Sequence, residues 1–123
     1  MKILIAHSSG FDYRTELYEP LKNSSLVSEH QVIFPHDPEN AEIPTKEQLK
    51  DADLMIAEVS YPSTGEGIEI GLAEAAGVPL LFLYKTGTKP SSSLRLVNGT
   101  LKEYANTNEL VALICEHLAL SPS

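Results

Sequence analysis

The fold is indicated most directly by residues 53–71, DLMIAEVSYPSTGEGIEIG. Residues 53–59 are largely apolar, which is typical of a strand that is covered on both faces of a parallel sheet. Small and polar residues then make a turn, and residues 67–76 have the composition of a helix that ends at Gly77, with Pro79 two residues beyond. A buried strand followed by a turn and a helix predicts a βαβ unit of a parallel α/β sheet.

The rest of the chain repeats this alternation. Apolar runs predict further strands at residues 2–6, 31–34, 80–84 and 100–104, the last as an edge strand. Helices are predicted over residues 13–23, 46–52 and 110–118. We therefore expect one domain over residues 1–123, a three-layer α/β fold with a five-stranded parallel sheet in the flavodoxin-like order 2-1-3-4-5.

Local signals mark the ends of these helices. Pro20 should delay or kink the first helix, because proline is costly beyond a first turn. Thr45 and Gln48 have the spacing of a capping box at the start of the second, and Asn106 with Glu109 offers an N-cap for the last.

The composition limits the kind of partner. The formal net charge of -8 at pH 7 disfavours nucleic acid polymers, which need a basic face, but leaves room for a small anionic ligand. The one cysteine, Cys115, cannot form an intrachain disulfide, and no apolar run has the length of a signal peptide or a membrane span. We expect a cytoplasmic protein that binds no membrane.

Three polar segments should meet at one edge of this sheet. In a doubly wound sheet, ligands bind at the carboxyl ends of the strands, at the switch point between strands 1 and 3. The segments that reach this edge are residues 7–14, 59–69 and 85–93. They hold most of the unusual polar residues of the chain, so this edge is the predicted binding site.

Glu69 is the strongest candidate for chemistry at this edge. If the helix begins near Gly65 or Gly67, Glu69 lies in its first turn, where the helix dipole should lower its pKa and keep the carboxylate ionised. An ionised carboxylate can attack a sugar carbon. The alternative is an acidic residue that only stabilises the first turn, as we expect for Glu66, which has capping-box spacing from Ser63.

The glycines of the turn also need a physical reason. Gly65 and Gly67 remove side chains where a backbone approaches a ligand or takes a positive φ, and together with Ser63 they are candidates for substrate binding. The pattern is neither a dinucleotide fingerprint nor a Walker A loop, because no third glycine follows at the required spacing and no Gly-Lys-Ser/Thr is present.

The loop after the first strand, residues 7–14 (HSSGFDYR), is a second polar cluster. Its hydroxyls can bind ribose or phosphate, its arginine can fix a phosphate or hold a carboxylate, and Phe11 or Tyr13 can stack on a nucleobase. The alternative is a capped helix start, with Asp12 as N-cap and the aromatic rings in the core. The substrate-binding candidates in this loop are Ser8, Ser9, Gly10, Phe11 and Arg14.

Glu58, inside an apolar strand, needs a partner when buried. It can act as a general acid or anchor the first loop by hydrogen bonds, and we favour the anchor while keeping it among the substrate-binding candidates. His36 and Asp37 have no companions at metal-ligand spacing, so we predict no metal site and no cofactor. The serines at 91–93 can donate to a phosphate or cap a short helix.

Residues 57–69, AEVSYPSTGEGIE, resemble the core motif of the nucleoside 2-deoxyribosyltransferase family, and are especially similar to the branch of the 2′-deoxynucleoside 5′-phosphate N-hydrolases. The resemblance implies a flavodoxin-like sheet in a homodimer, with Glu69 as the nucleophile that attacks C1′ of the deoxyribose. It also implies that Ser63, Gly65 and Gly67 surround the sugar and phosphate, and that Ser93 reaches the site of a neighbouring subunit.

The first loop and one further position depart from the family pattern. Tyr13 and Arg14 are the nearest matches to an aromatic residue and an arginine that contact the substrate. The aspartate that serves as proton donor in the hydrolase branch is matched by Thr45, so Asp12 or Glu47 has to stand in for it. Tyr13 and Asp12 therefore join Glu69 as catalytic candidates.

The leading hypothesis is an enzyme that cleaves or transfers at the N-glycosidic bond of a 2-deoxyribonucleoside or its 5′-monophosphate through Glu69. A second hypothesis is a nucleotide-sensing module that kept the pocket and lost catalysis, which the threonine at position 45 supports. A third, a domain that binds FMN, ranks below both, because the first loop lacks the run of hydroxyl and glycine residues that wraps a phosphate.

Overall fold

The computed structural model of the chain describes residues 1–120, and the last three residues of the predicted domain, 121–123, lie outside this range. The sheet has five parallel strands: β1 (Lys2–His7), β2 (Gln31–Ile33), β3 (Leu54–Glu58), β4 (Leu80–Lys85) and β5 (Gly99–Tyr104). Their order is β2-β1-β3-β4-β5 and each neighbouring pair is parallel, so the predicted fold class is confirmed.

The helices connect the strands on both faces of the sheet. They are α1 (Glu19–Lys22), α2 (Leu26–Glu29), α3 (Thr45–Gln48), α4 (Thr64–Ala75) and α5 (Thr107–Leu120), with a π-helical turn at Arg14–Tyr18 and a 3₁₀ turn at Ser92–Leu96. No helix within residues 1–120 is long and apolar enough to cross a bilayer.

The three central strands, β1, β3 and β4, contribute alternate side chains to two separate cores. On one face, Ile3, Ile5 and Ile56 pack with α1 and α5 through residues such as Leu21 and Ile114. On the other face the residues packed under α4 include Leu4, Ala6, Met55, Ala57, Phe82, Ile70 and Ala73. This alternation on a fully buried sheet explains why β1, β3 and β4 read as continuous apolar runs.

Several predicted ends of helices are confirmed. The segment predicted at 13–23 is divided into a π-helical turn and α1, with Pro20 in the first turn of α1, where its missing N–H costs no hydrogen bond. The C-terminal end of α4 is followed by Gly77 at a φ of +76°. At the start of α5, the Asn106 side chain accepts a hydrogen bond from Glu109 N at 2.9 Å.

Three predictions about helices were wrong. Thr45 and Gln48 do not form a capping box, because Thr45 is the first helical residue and Pro44 takes the N-cap position without a side-chain bond. Gln48 instead donates its side-chain amide to the carbonyl oxygen of Asn40, and α3 ends there rather than at residue 52. The helix predicted to begin at residue 67 begins at Thr64, which changes the position of Glu69.

Candidate functional site

The three predicted polar segments converge at the carboxyl ends of β1, β3 and β4. His7 and Glu58, the last residues of β1 and β3, are paired in register. The rings of Phe11 and Tyr61 lie 5.0 Å apart, which joins the first loop to the turn after β3. Lys85 N donates to Ser60 Oγ at 2.8 Å and joins the end of β4 to the same turn. Side chains from distant parts of the chain therefore share one edge of the sheet.

Glu58 ties the ends of three strands together. It is 2% exposed, and its carboxylate accepts hydrogen bonds from Ser60 N at 2.6 Å, from Ser60 Oγ at 2.8 Å and from the Tyr104 hydroxyl. Burial and the neighbouring Glu58 carboxylate raise the pKa of Tyr104, so the hydroxyl stays a donor. Glu58 is thus an anchor, as favoured above, but its hydrogen bonds hold Ser60 and β5 and not the first loop.

Aromatic rings fill the space behind the first loop. We call the six rings that meet there the aromatic cluster: His7, Phe11, Tyr13, Tyr18, His36 and Tyr61. The cluster is buried at His7 and Tyr18, whereas Phe11, Tyr13 and Tyr61 are half-buried. Phe11 and Tyr13 pack against the core, as the alternative interpretation of the loop predicts, and each residue is only half-buried.

The hydrogen bonds of His7 fix its tautomer. His7 Nδ1 lies 2.8 Å from the carbonyl oxygen of Ser8, which can only accept, so Nδ1 carries the proton. His7 Nε2, 2.6 Å from the Tyr18 hydroxyl, therefore accepts a hydrogen bond from Tyr18. Burial lowers the pKa of His7 to about 4, which keeps the ring neutral. A neutral, doubly bonded His7 holds the start of the first loop in place.

The polar residues of the first loop are occupied by local contacts. Ser8 is buried and its Oγ accepts a hydrogen bond from Gly10 N at 3.3 Å, whereas Ser9 and Gly10 are exposed. Arg14 donates to the carbonyl oxygen of His36 at 3.3 Å and lies 3.9 Å from the Asp37 carboxylate. Of the two predicted roles of Arg14, the structure therefore shows the one in which it holds a carboxylate.

The candidates for the proton donor differ little from ordinary surface residues. Asp12 is exposed, and its Oδ1 accepts from Thr15 N at 3.3 Å, as an N-cap does. Glu47 is exposed on α3, and Thr45 is half-buried at the first position of that helix. The structure provides no buried carboxyl group at these three positions.

A cavity of about 470 Å³ lies between the start of α4 and the segment of residues 91–97. Its volume is within the range of ligand pockets. Three of the predicted residues, Ser63, Gly67 and Ser93, line it. Glu69, Gly65 and the first loop are not part of its lining. Gly65 and Gly67 take no positive φ, so backbone conformation does not require glycine at either position. A Cβ at either position would meet nothing within 4 Å, so the space beside both residues is open.

Glu69 does not have the lowered pKa that the sequence predicts. Because α4 begins at Thr64, Glu69 lies in the second turn, where the dipole of the helix N-terminus acts weakly. Glu69 is half-buried, and burial raises the pKa of its carboxyl group. The predicted direction of the pKa shift of Glu69 was wrong, because the prediction depended on where α4 begins.

Glu66 is the residue that the sequence reading missed. Its N–H donates to Ser63 Oγ at 3.2 Å, as predicted, but its side chain is 3% exposed and lines the cavity. Its Oε2 atom is buried without a hydrogen-bond partner among residues 1–120. Burial, together with the charges of Glu58 and Glu69, raises the pKa of Glu66 to about 8, so the group is mostly neutral at pH 7.

One signal in the sequence could have located Glu66. Glu66, Ile70 and Ala73 follow one another at helical spacing, and all three face the core.

The described residues contain no group of three or more His, Cys, Asp or Glu side chains that could hold a metal ion.

Comparison with known proteins gives structural matches, one of which covers 94% of this chain, and shorter sequence matches. No family model matches the chain. A protein of Syntrophotalea carbinolica, provisionally named 2′-deoxynucleoside 5′-phosphate N-hydrolase 1, is 39% identical over 74 residues, which is 58% of this chain and 52% of that protein. Over this stretch the chain is similar in sequence to a 2′-deoxynucleoside 5′-phosphate N-hydrolase. The resemblance inferred from residues 57–69 is thereby confirmed.

A second protein is similar in sequence over a short stretch, and a solved structure is similar in fold. The 5-hydroxymethyl-dUMP N-hydrolase of Mus musculus is 49% identical over 37 residues, 30% of this chain and 21% of that protein. The structure of Clostridium botulinum CMP N-glycosidase, BcmB, superposes with a TM-score of 0.69 over 94% of this chain and 99% of that one, at 18% identity. The first shares sequence, and the second shares the fold.

The chain spans about half the length of the bacterial N-hydrolase relative and about a fifth of the mouse one. By their names, these relatives are N-hydrolases or N-glycosidases that act on nucleotides.

Proposed function

We propose that this chain hydrolyses the N-glycosidic bond of a 2′-deoxynucleoside 5′-monophosphate, with Glu69 as the nucleophile. The observation that carries the proposal is the position of Glu69 on α4. The helix follows directly from the ligand edge of the sheet, within the segment that resembles the N-hydrolases. The half-buried carboxyl group is ionised above its raised pKa and is then available for attack.

The proposed reaction has two steps. The Glu69 carboxylate attacks C1′ and forms an ester as the bond from C1′ to the base nitrogen breaks, and the base leaves with the bonding electron pair. Water then attacks C1′, which releases the sugar phosphate and restores the carboxylate, and the proton that water loses balances the one that the departed base takes up. If a second base reaches C1′ instead of water, the same intermediate gives transfer.

The aromatic cluster supports a site for the base. The half-buried rings of Phe11, Tyr13 and Tyr61 lie at the same edge of the sheet, and aromatic faces stack on any nucleobase. The serines of the cavity support a site for the phosphate, since Ser63 and Ser93 present hydroxyl groups from two separate segments. Sugar and scissile bond would then lie between these two regions.

A homodimer remains part of the proposal. Ile68 on α4 is 59% exposed and Leu96 on the 3₁₀ turn is 70% exposed, so both present apolar surface that a second copy can cover. Sedimentation equilibrium at micromolar concentration should give twice the mass of one chain; a single-chain mass would reject the dimer.

The test of the proposed function is release of free base. The protein is incubated with the four common 2′-deoxynucleosides, their 5′-monophosphates and CMP, and free base is followed by chromatography. We expect release from at least one 2′-deoxynucleoside 5′-monophosphate, and less from the matching nucleoside. Addition of a second free base separates hydrolysis from transfer, because only transfer yields a new nucleotide.

A nucleotide-sensing module would give a different result. Nucleotides would then raise the melting temperature of wild-type protein and of Glu69→Ala alike, with no base released by either. That outcome would reject the enzyme.

A further inference from the structure

We propose that Glu66 determines specificity for phosphate: its carboxyl group, when neutral, donates a hydrogen bond to a phosphate in the cavity between α4 and residues 91–97, and when ionised it expels that phosphate. This inference rests on the proposed function, because the phosphate is that of the nucleotide substrate or of the released sugar phosphate. It adds a residue and a pH dependence that the proposed function does not contain.

The cavity has hydrogen-bond donors on both walls. Ser63 at the start of α4 and Ser91 and Ser93 across from it all line the cavity. Ser63 Oγ accepts from Glu66 N, and Ser91 Oγ accepts from Ser93 N at 3.2 Å, so each hydroxyl hydrogen remains free to donate. The N-terminus of a twelve-residue helix adds partial positive charge at the same place.

The unpartnered Oε2 atom of Glu66 points independently to a ligand. Buried polar atoms in proteins are nearly always hydrogen-bonded, and an exception needs an explanation. Glu66 is 97% buried, lines the cavity and leaves Oε2 without a partner among the described residues. A ligand oxygen in the cavity would provide the partner that the protein does not.

The charge state of Glu66 decides whether that ligand can be an anion. No lysine or arginine is among the residues that line the cavity, and Glu58 and Glu69 both act on Glu66 as nearby negative charges. An ionised Glu66 would therefore repel phosphate with no cation to offset it. Burial and these two carboxylates raise the pKa of Glu66 to about 8, so the neutral form, a hydrogen-bond donor, predominates at pH 7.

The other titratable groups near α4 differ from Glu66 in their surroundings. Strands β1, β3 and β4 pack against α4. His7 on β1 is neutral above its pKa of about 4, and Lys85 on β4 lies 3.5 Å from Glu16. The remaining charged or titratable groups of these strands, of α4 and of the 3₁₀ turn are Lys2, Glu74, Tyr84 and Arg95. Glu66 alone combines burial, an unpartnered oxygen and a place in the cavity wall.

The test measures binding and needs no turnover. Calorimetric titration with 2-deoxyribose 5-phosphate, with inorganic phosphate and with 2-deoxyribose is carried out on wild-type protein at pH 7 and pH 9. If only the neutral form of Glu66 binds, the dissociation constant of the sugar phosphate rises about tenfold between these pH values. The neutral sugar should show no such change, and inorganic phosphate should follow the sugar phosphate if the phosphate group alone is recognised.

Glu66→Gln is the decisive variant. Its amide still donates a hydrogen bond and cannot ionise, so its affinity for the sugar phosphate should be the same at pH 7 and pH 9. Glu74→Gln, on the same helix and exposed, is the matched control and should keep the tenfold change. Equal pH dependence in wild type and Glu66→Gln, or no binding of any phosphate at pH 7, would overturn the inference.

A second measurement on the wild-type protein guards against a variant that does not fold. Carbon-13 NMR of the labelled glutamate carboxyl groups should show Glu66 titrating near pH 8, and at higher pH once the sugar phosphate is bound, because binding and protonation are linked. A titration in the ordinary range of glutamate, or one that the sugar phosphate does not move, would overturn the inference. If phosphate binds as predicted but no base is ever released, the proposed function fails and the phosphate site stands.

Discussion

Glu69→Gln removes base release almost completely, with kcat lowered on the order of 10³- to 10⁶-fold, the range seen when a catalytic nucleophile is removed. Glutamine keeps the size of the side chain, but its amide cannot form the ester with C1′. Binding of nucleotide should change little, so KM or the dissociation constant stays within a few-fold of the wild-type value. Steady-state release of base, followed by chromatography, measures the loss.

The control for this variant is Glu74→Gln, which changes an exposed glutamate at the other end of α4 and should leave kcat unchanged. The wild-type enzyme should also lose kcat as the pH falls through the pKa of Glu69, which burial raises above its ordinary value. Undiminished activity of Glu69→Gln would show that the nucleophile is another group.

Glu66→Gln makes the protein more stable at alkaline pH. In the folded chain, burial and the charges of Glu58 and Glu69 raise the pKa of Glu66 from an ordinary 4.5 to about 8. The unfolded chain therefore loses the proton at lower pH than the folded chain, and stability falls as the pH rises from about 4.5 to about 8. Above pH 8 the full difference corresponds to about 5 kcal/mol as an upper bound, which Glu66→Gln would remove.

Urea unfolding at pH 5 and pH 9 measures this gain. At pH 5 Glu66 is neutral in the folded state, so the variant and the wild type should have similar free energies of unfolding. At pH 9 the variant should be more stable by several kcal/mol. Glu74→Gln, again the control, should show no such divergence. If wild-type protein and Glu66→Gln had the same free energy of unfolding at pH 9, ionisation of Glu66 would not destabilise the folded state, and the prediction would be wrong.

The strands and their order could be predicted because the evidence for them is local. The apolar runs of β1, β3 and β4 are fully buried strands, and the turn chemistry at Ser63 and Gly77 marks both ends of α4. The place of Glu69 on the helix that follows β3 is predicted by the same stretch of sequence. These features depend on neighbours within a few residues.

The charge states of the site could not be predicted in the same way. The pKa of Glu66 depends on burial and on Glu58 and Glu69, and its place in a cavity wall depends on residues 91–97 across from it. Whether Glu69 feels the helix dipole or burial depends on a shift of three residues in the helix start. Arg14 contacts His36 and Asp37 in the loop after β2. These residues are distant in the sequence, so no local pattern predicts the contact.

The most direct test of the central claim is mass spectrometry of the protein during turnover. The wild-type protein is mixed with the nucleotide that it cleaves most slowly, quenched in acid within seconds and digested. We expect the peptide containing Glu69 to gain the mass of one 2-deoxyribose 5-phosphate residue, and the same peptide of Glu69→Gln to gain none. Rapid base release with no adduct, or an adduct on any other residue, would contradict this expectation.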